Sequence, residues 1–230
     1  MSGDSCPNRR TDTLRVILVV ERKHLFPGLS PQGFLPSDSI DLDSLTSHLF
    51  FAERDYMEVN SHYKQIIPYL MLQRGSGDNT RVLCYQRRTK HTEKRLGGLW
   101  SVGFGGHIEP LDRDNNQVET NGMVMATALR EMEEETGLNP GADALSLIGF
   151  INSDSEDVSS VHFGVVFKVD LDGLGDNDEQ IMELVSAQAE PHQARWIPVD
   201  DLKKMTRPEN GPDGGSFEDW SRIAVTGAFG

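Results

Sequence analysis

The sequence predicts an α/β chain: a mixed β-sheet between helices, in an α/β/α sandwich. Strand-sized runs of β-branched and aromatic residues recur along it, bounded by glycine, proline or polar turn formers. A few helical segments alternate with these runs, the pattern of layered α/β architectures. Apolar residues make up 37% and charged residues 25% of the 230 positions, which suits a globular protein with a substantial core, in one large or two small domains.

Residues 1–13 are polar and expected to be loose. Val16-Ile17-Leu18-Val19-Val20 marks a strand at about 14–21, followed by a Gly/Pro-punctuated loop from Phe26. Asp41 or Asp43 is placed to cap a short helix carrying Leu45, Leu49 and Ala52 on one side. Ile66–Leu72 and Val82–Tyr85 flank Gly75-Ser76-Gly77-Asp78-Asn79 and read as a hairpin, with Pro68 hinting at an edge or a bulge. Trp100–Phe104 is a short strand delivering Gly105-Gly106, where two glycines let the backbone approach a ligand or metal closely. Strands follow near Leu145–Asn152 and Val161–Val169. Trp196–Leu202 reads as a strand running into a short helix. Residues 207–216 are loop-like, and an amphipathic segment from Phe217 to Val225 is expected to pack back.

Between these strands lies Arg130-Glu131-Met132-Glu133-Glu134-Glu135-Thr136-Gly137-Leu138. On a helix at about 100° per residue, Met125, Leu129 and Met132 form an apolar stripe, with Ala128 between it and the acids. Glu131, Glu134 and Glu135 share the adjoining face, Glu133 points to solvent, and Arg130 stands next to Glu134. Like charges at these spacings cost roughly 0.2–0.5 kcal/mol per pair on an exposed helix. Gly137 is the expected helix stop, so the acids also face the negative end of the macrodipole. A solvated acidic face is the plain reading; a bound divalent cation would turn the penalty into a gain.

Together with Gly105-Gly106-His107-Ile108-Glu109 upstream, this stretch resembles the Nudix box, G-x5-E-x7-R-E-U-x-E-E-x-G-U with U aliphatic. The second half matches at Arg130, Glu131, Met132, Glu134, Glu135, Gly137 and Leu138. Counting back from Arg130 puts Gly122 where the first glutamate belongs, and fifteen residues separate Gly106 from Gly122 where the pattern has five. Residues 107–121 therefore read as containing a polar insertion, in which Thr120 or Asn121 is placed to cap the following helix and Glu119 to reach back for the missing acid.

The resemblance covers roughly residues 63–205 and implies a Nudix-like catalytic core there. Residues 14–62 form an N-terminal extension packed on it, and 206–230 a C-terminal loop and short helix. The implied reaction is metal-dependent hydrolysis of a pyrophosphate bond in a nucleoside diphosphate linked to another group, by water attack on phosphorus. The implied cofactor is Mg²⁺ or Mn²⁺, held by Glu131, Glu134, Glu135 and the backbone carbonyl of Gly106; hard oxygen ligands without a Cys/His cluster suit those ions. Glu134 and Arg130 are catalytic candidates. Beyond the box, Glu190 leads Glu156, Asp157, Glu179 and Glu183 as general-base candidate. Arg87, Arg88 and His107 are candidates for substrate phosphate within a basic cluster that also holds Arg81, Lys90, Lys94 and Arg95. Trp100 is either a base-stacking residue or core, and His162 is read as structural.

Two other functions share this fold. Gly98-Leu99-Trp100 and Gly106-His107 faintly resemble isopentenyl diphosphate isomerases, although those rely on a cysteine in that stretch and this one has none. A catalytically silent Nudix nucleotide sensor is the other.

A net charge of −14 and a pI near 4.8 leave no basic footprint for duplex nucleic acid. The expected partner is a small phosphorylated substrate, with a homodimer possible. Cys6 and Cys84 show no disulfide or zinc spacing, no apolar run approaches a membrane span, and no signal peptide is evident. Cytoplasmic localisation is expected.

Overall fold

The computed structural model describes residues 15–88, 96–112, 119–175, 177–188, 193–207 and 211–230. In chain order the elements are β1 (Val16–Glu21), α1 (Arg22–Leu25), β2 (Gly33–Pro36), β3 (Leu49–Glu53), α2 (Arg54–Met57), β4 (Tyr63–Arg74) and β5 (Arg81–Gln86). Then come β6 (Trp100–Ser101), β7 (Gly103–Phe104), α3 (Thr120–Thr136), β8 (Leu145–Asn152), α4 (Asp157–Val161) and β9 (His162–Asp170). The chain ends with α5 (Asp178–Gln188), β10 (Gln193–Pro198), α6 (Val199–Met205) and α7 (Asp219–Phe229).

The strands make one mixed sheet in the order β10-β5-β4-β9-β8-β2, with β1 and β7 pairing with β4, β3 with β1, and β6 with β5. The β4–β9 pair is parallel, from Gln65↔His162 to Gln73↔Asp170, and the other pairings are antiparallel. Alternation along the strands feeds two cores. Ile66, Leu70 and Leu72 of β4 and Phe163, Val165, Phe167 and Val169 of β9 join α3 and α5 on one face. Tyr69, Met71, Val166, Val82 and Cys84 join α6 and α7 on the other. Each fully buried Leu, Val or Phe contributes about 1.5–3 kcal/mol by leaving water, so a continuous apolar strand such as β4 holds both helical layers.

Several expectations change against this frame. Residues 41–52 do not form one helix: a short 3-10 turn spans Asp43–His48, and Leu49 and Ala52 lie in β3, opposite Val20 and Ile17 of β1. The run Leu49-Phe50-Phe51 favours a strand once β1 offers an edge.

Pro68 is not at an edge, because β4 is central. It falls between the stretch of β4 paired with β1, Tyr63–Gln65, and the stretch paired with β7, Leu70–Met71. The hairpin strands β4 and β5 pair only at Gln73↔Val82 and Arg74↔Arg81, then diverge. Helix α5 has no counterpart in the sequence reading.

Helix α3 ends at Gly137 in the left-handed conformation, φ 72°, with its N–H donated to the Glu133 carbonyl. Its start is capped from elsewhere. The Asn121 N–H donates to Asp43 Oδ1 at 3.0 Å, and the Thr120 N–H to Thr46 Oγ1 at 3.3 Å. Residues of the 3-10 turn thus do what a local Thr120 or Asn121 cap was expected to do.

Candidate active site

The turn after β7 and the last turns of α3 meet at the mouth of a cavity of about 760 Å³. Two glycines make the approach possible. Gly105 has φ +148°, and a side chain on it would run into the Pro68 carbonyl; a Cβ on Gly106 would lie 2.5 Å from the carboxyl carbon of Glu131. The Gly105 N–H donates to Glu135 Oε2 at 3.0 Å. Glu131 and Glu135, one turn apart on α3, therefore both stand against this backbone and line the cavity.

Arg130 organises the outer side. Its Nε and Nη2 donate to Asp112 Oδ1 and Oδ2 at 2.6 and 3.0 Å, and Nη1 to Glu131 Oε1 at 2.8 Å and Glu134 Oε2 at 2.9 Å. Nη2 also reaches the His107 carbonyl at 3.1 Å, tying the helix to the glycine turn. Glu134 is exposed and held in this ion pair, not directed into the cavity, and Glu133 is exposed.

Asp112 was missed by the sequence reading. Its side chain is 4% exposed, and Oδ2 also accepts the Glu109 N–H at 2.7 Å. Five residues separate Gly106 from Asp112, the box's own spacing, and seventeen then separate Asp112 from Arg130, where the pattern has seven. The extra residues follow the acid, so counting back from Arg130 passed over it; counting forward from Gly106 would have found it. Glu119 immediately precedes α3, in extended conformation, and is exposed.

The electrostatics reflect these partners. Burial pushes the Asp112 carboxyl up, but the Arg130 hydrogen bond and the Glu109 N–H outweigh it and hold the group below its ordinary value. Burial raises the Glu131 carboxyl, and the Arg130 charge and hydrogen bond offset only part of the rise. Glu131 is thus a carboxylate short of positive charge. Seven carboxylate side chains and two arginines line the cavity, a poor host for a phosphate unless cations enter with it.

Arg87 lines the cavity, with its Nε donated to Glu218 Oε2 at 3.0 Å. Glu218, buried, also accepts from Ser101 Oγ at 2.6 Å and Tyr69 Oη at 3.2 Å. Arg88 is exposed and outside the lining. His107 lines the cavity as a half-buried neutral imidazole: desolvation, then the charges of Arg54, His162 and Arg15, lower its pKa to about 2. Trp100 is core, 1% exposed beside Phe217. Among the base candidates outside the box, Glu156 lines the cavity, whereas Glu179 and Glu183 are exposed on α5. Glu190, Lys90, Lys94 and Arg95 lie outside the described residues.

The far wall is fixed by ion pairing between a buried lysine and an exposed aspartate. Lys64, fully buried on β4, donates through Nζ to Asp154 Oδ1 and the Ser159 carbonyl, both at 3.2 Å. Arg22 grips Asp154 with Nη1 and Nη2 at 2.7 and 2.8 Å. This holds Val158 and Ser159 against the cavity. Cys84 is buried in the opposite core, and burial pushes its thiol far up, so it offers no thiolate to the cavity. Among the described residues no helix is long and apolar enough to cross a membrane.

Comparison with known proteins agrees with this geometry. The NUDIX domain profile matches residues 70–218. Protein YmaB of Bacillus subtilis (strain 168) is 27% identical over 196 residues, covering 82% of this chain and 88% of YmaB. The crystal structure of Tm1382, ascribed to the Nudix hydrolases, superposes with a TM-score of 0.63 at 27% identity, over 92% of this chain and 96% of Tm1382. With Glu131 and Glu135 against the glycine turn and the profile spanning most of the chain, this protein belongs to the Nudix family and is a Nudix-type hydrolase.

Proposed function

We propose that this enzyme hydrolyses the pyrophosphate bond of a nucleoside diphosphate linked to another group, by metal-dependent attack of water on phosphorus. The observation that carries the reading is the convergence of Glu131 and Glu135 on the Gly105-Gly106 backbone at the mouth of an acidic cavity. An all-oxygen donor set at a carboxylate short of positive charge fits Mg²⁺ or Mn²⁺, with Glu131, Glu135 and the Gly106 carbonyl as holders and Glu134 at the rim. Bound there, the cation would polarise the phosphoryl group and lower the pKa of the attacking water.

The chain's own residues do the rest. Arg130 orients Glu131 and Glu134 through its ion pairs, and Asp112 keeps Arg130 in place. Glu156, at the cavity wall, is positioned to take a proton from water; Glu190, the other candidate base from the sequence, lies outside the described residues. Arg87 offers the substrate guanidinium N–H groups beyond the Nε–H that Glu218 engages.

The test is turnover of a panel of nucleoside diphosphate derivatives with Mg²⁺ or Mn²⁺, in water enriched in oxygen-18, for wild type, Glu131→Gln and Glu135→Gln. Metal-dependent cleavage that places the heavy oxygen on a phosphate, and that fails in both variants, is expected. Absence of turnover with tight, metal-independent binding of one compound would overturn the proposal in favour of a nucleotide sensor.

A further inference from the structure

The cavity holds a second group of converging side chains that the proposed hydrolysis does not use. Glu58 follows α2, His107 follows the glycine turn, and His162 opens β9; one ligand atom from each lies within 4.8 Å of the others. The two imidazoles are not stacked: their planes are tilted by 59° with centroids 5.4 Å apart, and Nε2 faces Nε2 at 3.3 Å. That spacing is roughly the edge of a tetrahedron built on metal–nitrogen bonds of about 2.0–2.1 Å.

The tautomer of His162 is fixed. Its Nδ1 lies 2.6 Å from the Val158 carbonyl, which can only accept, so Nδ1 carries the proton and Nε2 presents a lone pair towards His107. Gln65, on β4 directly beside His162 in the parallel register, brings Oε1 to 2.8 Å from His107 Nε2. Its own Nε2 is buried without a partner. With protons alone, a single N–H of His107 must serve both Gln65 Oε1 and His162 Nε2. A cation at the point of convergence would instead take the Nε2 lone pairs of both imidazoles, with the His107 proton on Nδ1, together with the Glu58 carboxylate.

The surroundings have the form that supports metal ligands: an imidazole donating its other nitrogen to a backbone carbonyl, and a carboxylate held by hydrogen bonding. The second is supplied by Arg54, whose Nε donates to Glu58 Oε1 at 2.9 Å.

We propose that Glu58, His107 and His162 form a binding site for a borderline-soft divalent transition metal of the Zn²⁺ or Co²⁺ kind, separate from the box carboxylates. Two imidazoles and one carboxylate leave a coordination position open, as in zinc sites that take a water or a substrate oxygen. All three residues line the cavity, so that position faces the space a substrate would enter. Imidazole nitrogen separates this site from the all-oxygen acids, which select Mg²⁺ or Mn²⁺. The inference does not depend on the hydrolytic reading.

The experiment titrates chelator-treated, full-length protein with CoCl₂ and follows visible absorption, which reports low-symmetry nitrogen–oxygen coordination without any turnover. One equivalent should develop bands that excess MgCl₂ leaves in place. His107→Ala and His162→Ala should abolish them, and Glu58→Gln should weaken binding at least tenfold. Glu135→Gln should leave them unchanged. Circular dichroism checks each variant; if His162→Ala fails to fold, the partly exposed Glu58 decides through Glu58→Gln. Absence of bands in wild type, bands indifferent to Glu58→Gln and His107→Ala, or bands lost in Glu135→Gln would each overturn the site and leave the histidine pair as a hydrogen bond.

Discussion

Replacing Asp112 by asparagine should loosen the whole acidic face of α3, although Asp112 touches none of the cavity. The substitution keeps the shape but removes the charge. It sets an amide against a guanidinium that now donates at 2.6 and 3.0 Å. A hydrogen bond to a charged group contributes about 1.5–3 kcal/mol, and two are weakened here. Arg130 is 30% exposed and keeps Glu131, Glu134 and the His107 carbonyl, so water and these partners recover part of the loss. The net expectation is about 2–4 kcal/mol, between a surface pair and a fully buried one. For a chain of this size that is a fall in Tm of roughly 4–16 °C. Urea denaturation of wild type and Asp112→Asn measures the stability, and kcat with Mg²⁺ measures the face. A loss below about 0.5 kcal/mol, the scale of an ordinary surface change, would refute the assignment of Asp112 as the anchor of Arg130.

Gly106→Ala should cost at least about a hundredfold in kcat, the scale of an ångström's misplacement, because the new Cβ displaces the Glu131 carboxylate; near-wild-type kcat in steady-state assays would contradict it. Asp43→Ala should remove about 0.5–2 kcal/mol of stability by uncapping α3, read as a lower urea midpoint with unchanged slope. The hydrogen bond from Arg22, ahead of the Lys64 charge, lowers the Asp154 carboxyl from 3.8 to about 2. Its contribution to stability is therefore complete above about pH 4 and lost as pH falls towards 2. Asp154→Asn should flatten that acid limb in denaturation curves taken across pH. Chelation with EDTA should abolish turnover, and Mg²⁺ or Mn²⁺ should restore it.

What the sequence disclosed was local. Gly137 stops α3 and Arg130 to Leu138 carries the box at fixed positions, but of the expected stripe only Met132 is buried; Met125 and Leu129 flank an inner face made by Met123, Val124, Ala128 and Met132. What escaped it depends on partners far away in the chain. Leu49 and Ala52 fit a helix until β1 lies beside them, and the cap of α3 comes from Asp43 and Thr46, which no window around Thr120 contains. Pro68 argues for an edge by its missing N–H, yet the gap between β1 and β7 accommodates it at the centre of the sheet. His162 reads as merely structural because its neighbour His107 stands after the β7 turn, 55 positions away in the chain.

The extra residues between Asp112 and α3 sit between two clamps: the Asp112–Arg130 pair before them and the Asp43 and Thr46 bonds after them. Chain length between two fixed ends is a weak thermodynamic variable, roughly 0.6 kcal/mol per doubling. Each clamp is made with a part of the fold outside the segment, so lengthening it moves neither the acid nor the helix. A catalytic motif usually treated as one contiguous word can therefore be divided in two, provided both halves are tied to the scaffold independently. The same junction is accordingly a natural place to graft a peptide or a reporter into this enzyme while leaving its acids where they are.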